Sequence, residues 1–216
     1  MCRSLGRTVV WEVKTMDYKA RVRYPARSRT DAELLNPLDQ IYGESGLLRP
    51  SAERIEGDQV PEPYRSLLVH PSDLTPTLES VFDDRIHLRV IRRGNSGVVE
   101  LRQVVLVLDR DETPVAVGAI RIHLDHLPAA VRAPIREGRR PFGRVLQDSE
   151  VVHSSSPGGY FRVLSDPEIS TALRLGRPQR LFGRRNRLLD AFERPLAEVV
   201  EVLPPTDISL PSEATE

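Results

Sequence analysis

The chain has 216 residues, of which 31 are basic and 31 acidic, so its formal net charge at pH 7 is zero with neutral histidines. This balance argues against bulk nucleic-acid binding, and no apolar run is long enough to span a bilayer. The single cysteine, Cys2, excludes a disulfide framework and a thiolate metal cluster. The first residues lack the apolar stretch of a signal peptide, so we expect a cytoplasmic protein.

Three regions follow one another along the chain. Residues 1–63 contain one short predicted strand, at 8–13, and are broken by five prolines. We expect an N-terminal extension that packs on or flanks the main domain. Residues 64–205 carry regular helix and strand patterns and form the predicted domain. Residues 206–216 are predicted to be a disordered tail.

The domain alternates strands with short helices. A helix is predicted to start at Thr75, a suitable N-cap, with Pro76 in its first turn. The predicted strands cover residues 86–92, 98–108, 115–124, 159–164, 179–189 and 195–203. Further helices are predicted over residues 128–136, 141–146 and 168–175. Because the first strands form consecutive hairpins, the pattern predicts an α+β fold: a six-stranded, mostly antiparallel sheet with helices on one side.

Two charged residues lie in apolar rows of their strands. Because side chains alternate along a strand, Arg102 shares a face with Val104 and Leu106. Glu201 similarly shares a face with Val199 and Leu203. A charge in such a row is costly unless it is paired. The two residues therefore either pair with each other or with neighbours, lie on partly solvated faces, or belong to a binding site.

Four segments, in this order, resemble the chorismate pyruvate-lyase family. Residues 67–75 contain Leu-Leu-x-His-x-x-Asp-Leu-Thr, which matches the actinobacterial and cyanobacterial branch, and residues 101–106 resemble the Arg-bearing strand of the family. Residues 139–146 read Arg-Arg-Pro-Phe-Gly-Arg-Val-Leu, similar to a family Pro-Leu-Gly-Arg segment. Residues 181–186 and 194–204 resemble the C-terminal signature of aromatic-Gly-Arg-Arg followed by a strand that ends in Glu-x-x-Pro. The resemblance covers residues 64–204.

The resemblance implies a cytoplasmic lyase that splits chorismate into 4-hydroxybenzoate and pyruvate in an internal pocket under helical flaps. By this resemblance, Arg102 holds the ring carboxylate and Glu201 meets the ring hydroxyl. Backbone amides near Leu74 and Phe142 complete the pocket, with Thr75 and Gly143 beside them. Because the elimination creates an aromatic ring, it is strongly downhill, and we expect no metal or other cofactor. The predicted tasks of the protein are orientation and charge placement.

One position departs from the family pattern. Many members carry Gly-Arg on the strand where this chain has Gly118 and Ala119, and that Arg is a candidate for the enolpyruvyl carboxylate. Arg121, Arg184 and Arg185 are the candidates to replace it here, and the sequence does not choose among them.

The main alternative is a non-catalytic module that binds a small aromatic acid. The same fold serves as the effector-binding half of some GntR-type regulators, and an inactive paralogue would also bind without turnover. Residues 1–63 show no helix-turn-helix pattern, which argues against a regulator. The expected partner is a small molecule, and the expected state is a monomer or homodimer. The histidines have no metal-type spacing.

Overall fold

Seven strands form one antiparallel sheet in the computed structural model, which describes residues 34–206. The predicted strand at 8–13 and most of the predicted tail lie outside the described residues. The strands are β1 (Ala52–Ile55), β2 (Ile86–Asn95), β3 (Val99–Leu108), β4 (Pro114–His123), β5 (Ser154–Leu164), β6 (Arg180–Leu189) and β7 (Pro195–Leu203). Their order across the sheet is β1-β5-β6-β7-β4-β3-β2. The protein therefore has an α+β fold, as predicted.

Six helices cover the sheet. They are α1 (Leu38–Glu44), α2 (Tyr64–Leu68), α3 (Leu74–Phe82), α4 (Ala129–Glu137), α5 (Phe142–Asp148) and α6 (Pro167–Ala172). The N-cap of α3 is Asp73 rather than Thr75. Within residues 34–206, no helix is long and apolar enough to cross a bilayer.

The two faces of the sheet bury separate apolar clusters. On one face, α1 and α6 pack on the sheet through residues such as Leu38, Tyr42 and Ile169. On the other face, α4 and α5 form a second cluster and α2 and α3 a third. Strand β4 lies between both layers, and for this reason most of its side chains are buried.

The architecture differs from the predicted one in two respects. The sheet has a seventh strand because β1 pairs with β5, and helices lie on both faces rather than one. Both differences involve residues 34–55, where prolines and charges interrupt the pattern. Leu34, Leu35 and Leu38 of this segment are nonetheless buried against the sheet, so one core crosses the expected boundary at residue 63.

Strand register brings the charged residues of the pattern to the centre of the sheet. Arg102 on β3 lies opposite Ile120 of β4, while Glu201 on β7 lies opposite Gly118 of the same strand. On the other side of β7, Arg184 of β6 lies opposite Glu201. The central strands β6, β7, β4 and β3 thus bring Arg184, Glu201 and Arg102 close to one another.

Close packing at Gly183 provides a test of this register. A Cβ atom at Gly183 would lie 2.4 Å from the Glu201 carbonyl oxygen and 2.6 Å from Phe161 Cζ. We expect Gly183→Ala to lower the free energy of unfolding by about 2 kcal/mol, the usual cost of overpacking. Gly176→Ala is the control, since a Cβ there meets no atom within 4 Å. Equal stability of both variants in urea unfolding would contradict the β6–β7 register.

Candidate functional site

An internal cavity of about 80 Å³ lies on the face of the sheet covered by α3 and α5. It separates the apolar cluster under α4 and α5 from the cluster under α2 and α3. Its apolar walls include Leu88, Val104, Leu106, Ala116, Ile120, Phe142, Leu188 and Val199. Its polar lining residues are Asp73, Thr75, Arg102, Asn186 and Glu201.

The floor of the cavity is formed by the central strands. Arg102 and Glu201 lie on β3 and β7, which flank β4 on opposite sides. With strands about 4.8 Å apart and a rise of about 3.4 Å per residue, their Cα atoms are roughly 12 Å apart. Gly118 of β4 lies between them and lines the cavity, and a Cβ atom at this position would clash with the Val200 carbonyl oxygen. A single substituted aromatic ring can bridge this separation.

Arg102 is buried and only partly engaged by the protein. Its Nε and Nη2 atoms lie 2.8 and 2.7 Å from Oε1 of Glu100, and Nη2 also donates to the Ile135 carbonyl at the end of α4. Burial lowers the pKa of Arg102, while the Glu100 carboxylate acts in the opposite direction. Among the described residues, Nη1 has no hydrogen-bond partner, and it lies beside Gly138, where a Cβ atom would be 3.5 Å from it.

Glu201 is also held on one side only. Its Oε2 accepts a hydrogen bond of 2.7 Å from Nε of Arg184, whose side chain is completely buried. Within residues 34–206, Oε1 of Glu201 has no hydrogen-bond partner. Arg102 and Glu201 therefore pair with neighbours rather than with each other, and each keeps one polar atom free.

Arg121 and Arg185 do not line the cavity. Arg121 lies on the opposite face of the sheet, where Nη1 is 2.6 Å from Glu198 and Nη2 is 2.8 Å from Asn36. Arg185 lies opposite Val200, which is buried in the cluster under α1. Ala119 is buried in the same cluster and also borders the cavity. Arg184 is close to the cavity but lies behind Glu201 rather than in its lining.

The other predicted site residues lie in the cover of the cavity, which is formed by the first residues of α3 and α5. Leu74 and Thr75 begin α3, and Phe142 and Gly143 begin α5. The two helix starts approach closely, since a Cβ at Gly143 would be 2.8 Å from Oδ2 of Asp73. Only glycine fits at position 143 without displacing the Asp73 carboxylate.

Two histidines near the cavity have pKa values that are shifted in opposite directions. Nε2 of His153 lies 3.0 Å from Oδ2 of Asp73, and this hydrogen bond raises the pKa of His153. Desolvation lowers the pKa of His70, with Arg184 acting in the same direction. His70 Nδ1 accepts a hydrogen bond of 3.2 Å from the Ser72 N–H, as a neutral imidazole does.

Sequence reasoning did not identify Glu100, Asp73, Asn186 or His153 as parts of this region. Strand alternation places Glu100 on the same face as Arg102, so its role as partner could have been inferred. Asp73 lies in the Leu-Leu-x-His-x-x-Asp-Leu-Thr motif of residues 67–75, which predicts no role for its carboxylate. Asn186 donates from Nδ2 to Ser155 Oγ at 2.7 Å, which links β6 to β5. No pattern in the neighbouring residues predicts this contact.

The charges of the lining do not balance. Arg102 is the only cationic lining residue in the described part of the chain, whereas Asp73 and Glu201 are both acidic. Arg102 is the lining group that can pair with a carboxylate of a ligand, and Glu201 can accept a hydrogen bond from a donor. Residues 34–206 contain no group of three or more His, Cys, Asp or Glu side chains placed to hold a metal ion.

Comparisons with known proteins show similarity in fold only. No protein-family model and no curated protein matches the sequence. Solved structures that align with it include the effector domain of PhnF from Mycobacterium smegmatis, at 10% identity and a TM-score of 0.47, covering 61% of this chain and 87% of that one. A GntR-family transcriptional regulator from Bacillus cereus aligns at 9% identity and a TM-score of 0.42, covering 60% and 99%. Similarity at this level carries no argument about function.

The two histidines should give opposite pH dependence of stability. Because the folded pKa of His153 is raised, its contribution is complete below the unfolded pKa of about 6.5 and is lost as pH rises through the folded pKa. The difference in unfolding free energy between the parent and His153→Gln should therefore shrink as pH rises above about 6.5.

His70→Gln is the matched control for this measurement. Its folded pKa is lowered, so the stability difference from the parent should instead grow as pH rises through about 6.5. Urea unfolding of the three proteins at several pH values provides the comparison. The same pH trend in both variants would contradict the two hydrogen-bonded states described above.

Proposed function

We propose that the protein binds a small hydroxylated aromatic carboxylic acid, of the 4-hydroxybenzoate class, in the cavity. One observation carries this proposal: Nη1 of Arg102 and Oε1 of Glu201 are both free, and both residues line one apolar cavity across Gly118. A guanidinium nitrogen favours a carboxylate, and a carboxylate oxygen accepts a hydrogen bond from a phenol. The aliphatic walls and Phe142 suit the ring between the two groups.

The partial pairing of the two charges supports binding. Glu100 and the Ile135 carbonyl fix the Arg102 side chain, so little conformational entropy is lost when a ligand binds. Arg184 fixes Glu201 in the same way. Groups that are held in place in this way bind the charged group and the hydrogen-bond donor of a ligand strongly when little water enters the site.

Chorismate pyruvate-lyase activity is the second candidate. Four motifs in family order favour it, as does Glu201 near the expected position of the C4 hydroxyl. In this reaction the C4–H bond breaks and its electrons complete the aromatic ring. The C3–O bond also breaks, and the enolpyruvyl group leaves as the enolate of pyruvate, which takes up a proton in place of the one lost from C4. Arg102 would orient the ring carboxylate, and Glu201 the hydroxyl.

The charge of the lining favours binding without turnover over this second candidate. Chorismate carries two carboxylates, but only one cationic residue of the described chain lines the cavity. Arg121 and Arg185, two candidates for the second carboxylate, face away from the cavity. A ligand with one carboxylate therefore fits the lining better than chorismate does.

Arg102→Lys tests the proposed binding. Lysine keeps the charge but loses Nη1 and the planar geometry. We expect the affinity for 4-hydroxybenzoate, measured by isothermal titration calorimetry, to fall about 10- to 100-fold, or about 1.4–2.8 kcal/mol.

The control for this variant is Arg93→Lys. Arg93 also contacts Glu100, at 3.5 Å, and donates to the Arg136 carbonyl at 2.8 Å, but it does not line the cavity. The affinity of Arg93→Lys for 4-hydroxybenzoate should remain within about threefold of the parent value, a change below 1 kcal/mol. Equal losses in both variants would show that Arg102 acts only on the fold.

Incubation with chorismate separates the two candidates. A binding module leaves chorismate intact, whereas a lyase releases equimolar pyruvate and 4-hydroxybenzoate, undiminished by a chelator. If turnover occurs, Glu201→Gln should lower kcat by about 100-fold or more, the usual effect of losing a proton-transfer group. Glu198→Gln, on the opposite face of β7, should leave kcat unchanged. Product analysis by chromatography gives both readouts.

A further inference from the structure

We propose that Arg184 is a positioning residue for the ligand site, although it does not touch the ligand. It orients Glu201 so that Oε1 faces the cavity, and it holds the segment that places Leu74 and Thr75 over that cavity. This inference rests on the proposed function, because it assigns the selectivity for a ring hydroxyl to Arg184 acting through Glu201.

The guanidinium of Arg184 joins the floor of the cavity to its cover. Nε donates to Oε2 of Glu201 at 2.7 Å, and Nη2 donates to the Ser72 carbonyl at 3.0 Å. Nη1 donates to the carbonyls of Leu68 and His70 at 3.2 and 3.3 Å. Each nitrogen is therefore engaged, and four of the five N–H groups of the guanidinium are used in these contacts.

The three carbonyl acceptors belong to alternate residues of one segment, residues 68–72, which joins α2 to α3. A segment that directs alternate carbonyls to one guanidinium must curl around it. Asp73, Leu74 and Thr75 follow directly and line the cavity. The position of the cover thus depends on the same side chain that fixes Glu201.

A second ion pair on β7 has none of these contacts and offers a matched comparison. Arg121 and Glu198 lie 2.6 Å apart on the opposite face of the sheet, and both side chains are about one-fifth exposed. Arg121 also contacts Asn36 and Gln40 rather than residues 68–72. Replacing Arg121 therefore perturbs a similar ion pair without reaching the cavity or its cover.

The test compares the affinities of 4-hydroxybenzoate and benzoate, which differ only in the ring hydroxyl. In the parent protein, 4-hydroxybenzoate should bind about 10-fold more tightly, as expected for a hydrogen bond to a charged acceptor. In Arg184→Lys this ratio should fall to within about twofold of one, while benzoate still binds through Arg102. In Arg121→Lys the ratio should stay at the parent value. A merely structural role for Arg184 would lower the melting temperature without changing the ratio, and a folded Arg184→Lys with the parent ratio would overturn the proposal.

A second measurement needs neither a ligand nor a variant of Arg184. Glu201→Gln removes the charged partner of Arg184 and should loosen residues 68–72 in the ligand-free protein. Exchange of the Val69 and Ser72 amides should then accelerate by about tenfold relative to the parent, as expected for a loss of about 1.4 kcal/mol. Glu198→Gln should leave both amides unchanged, and equal exchange in the two variants would overturn the proposal. If the parent binds neither acid, the proposed function fails, whereas this exchange result still decides the role of Arg184.

Discussion

The guanidinium of Arg184 is completely buried, and a buried charge is strongly destabilising unless other groups replace the water around it. Here the replacement comes from Glu201 and three main-chain carbonyls of residues 68–72. Loss of one partner from such a network typically costs about 3–5 kcal/mol, because the remaining charge stays buried. This constraint fixes β6 against β7 and the α2–α3 segment against the sheet. The cavity lies between the parts that this network joins.

The same principle explains the second charged residue of the cavity. Glu100 and the end of α4 engage Arg102, just as Arg184 engages Glu201. Neither arrangement is complete, since Nη1 of Arg102 and Oε1 of Glu201 have no partner in the described part of the chain. A ligand with a carboxylate and a hydroxyl would supply a partner to each of these two atoms. The fold thus holds two charges in place and leaves one atom of each for recognition.

Strand alternation places Arg102 and Glu201 each in an apolar row of its own strand, and the family resemblance assigns both residues to one ligand pocket. Strand alternation could not predict the contacts of Arg184, because the carbonyls that accept its hydrogen bonds are 112–116 residues away in sequence. Likewise, the Asp73–His153 hydrogen bond joins residues 80 positions apart. The helix α1 was not predicted, because its apolar residues Leu38, Ile41 and Tyr42 follow Pro37 and are interrupted by polar and charged residues, which mask the helical period. Sequence patterns describe single elements well, whereas these contacts depend on how the elements pack.

A crystal structure with 4-hydroxybenzoate bound tests the central claim most directly. We expect the carboxylate of the ligand to lie within hydrogen-bond distance of Arg102 Nη1, about 2.9 Å. The ligand hydroxyl should lie at a similar distance from Glu201 Oε1. Arg184 should keep its contacts with residues 68–72 and make none with the ligand. A reversed ligand, or one bound only in the outer groove lined by Pro76, Gln147 and Val152, would contradict the account.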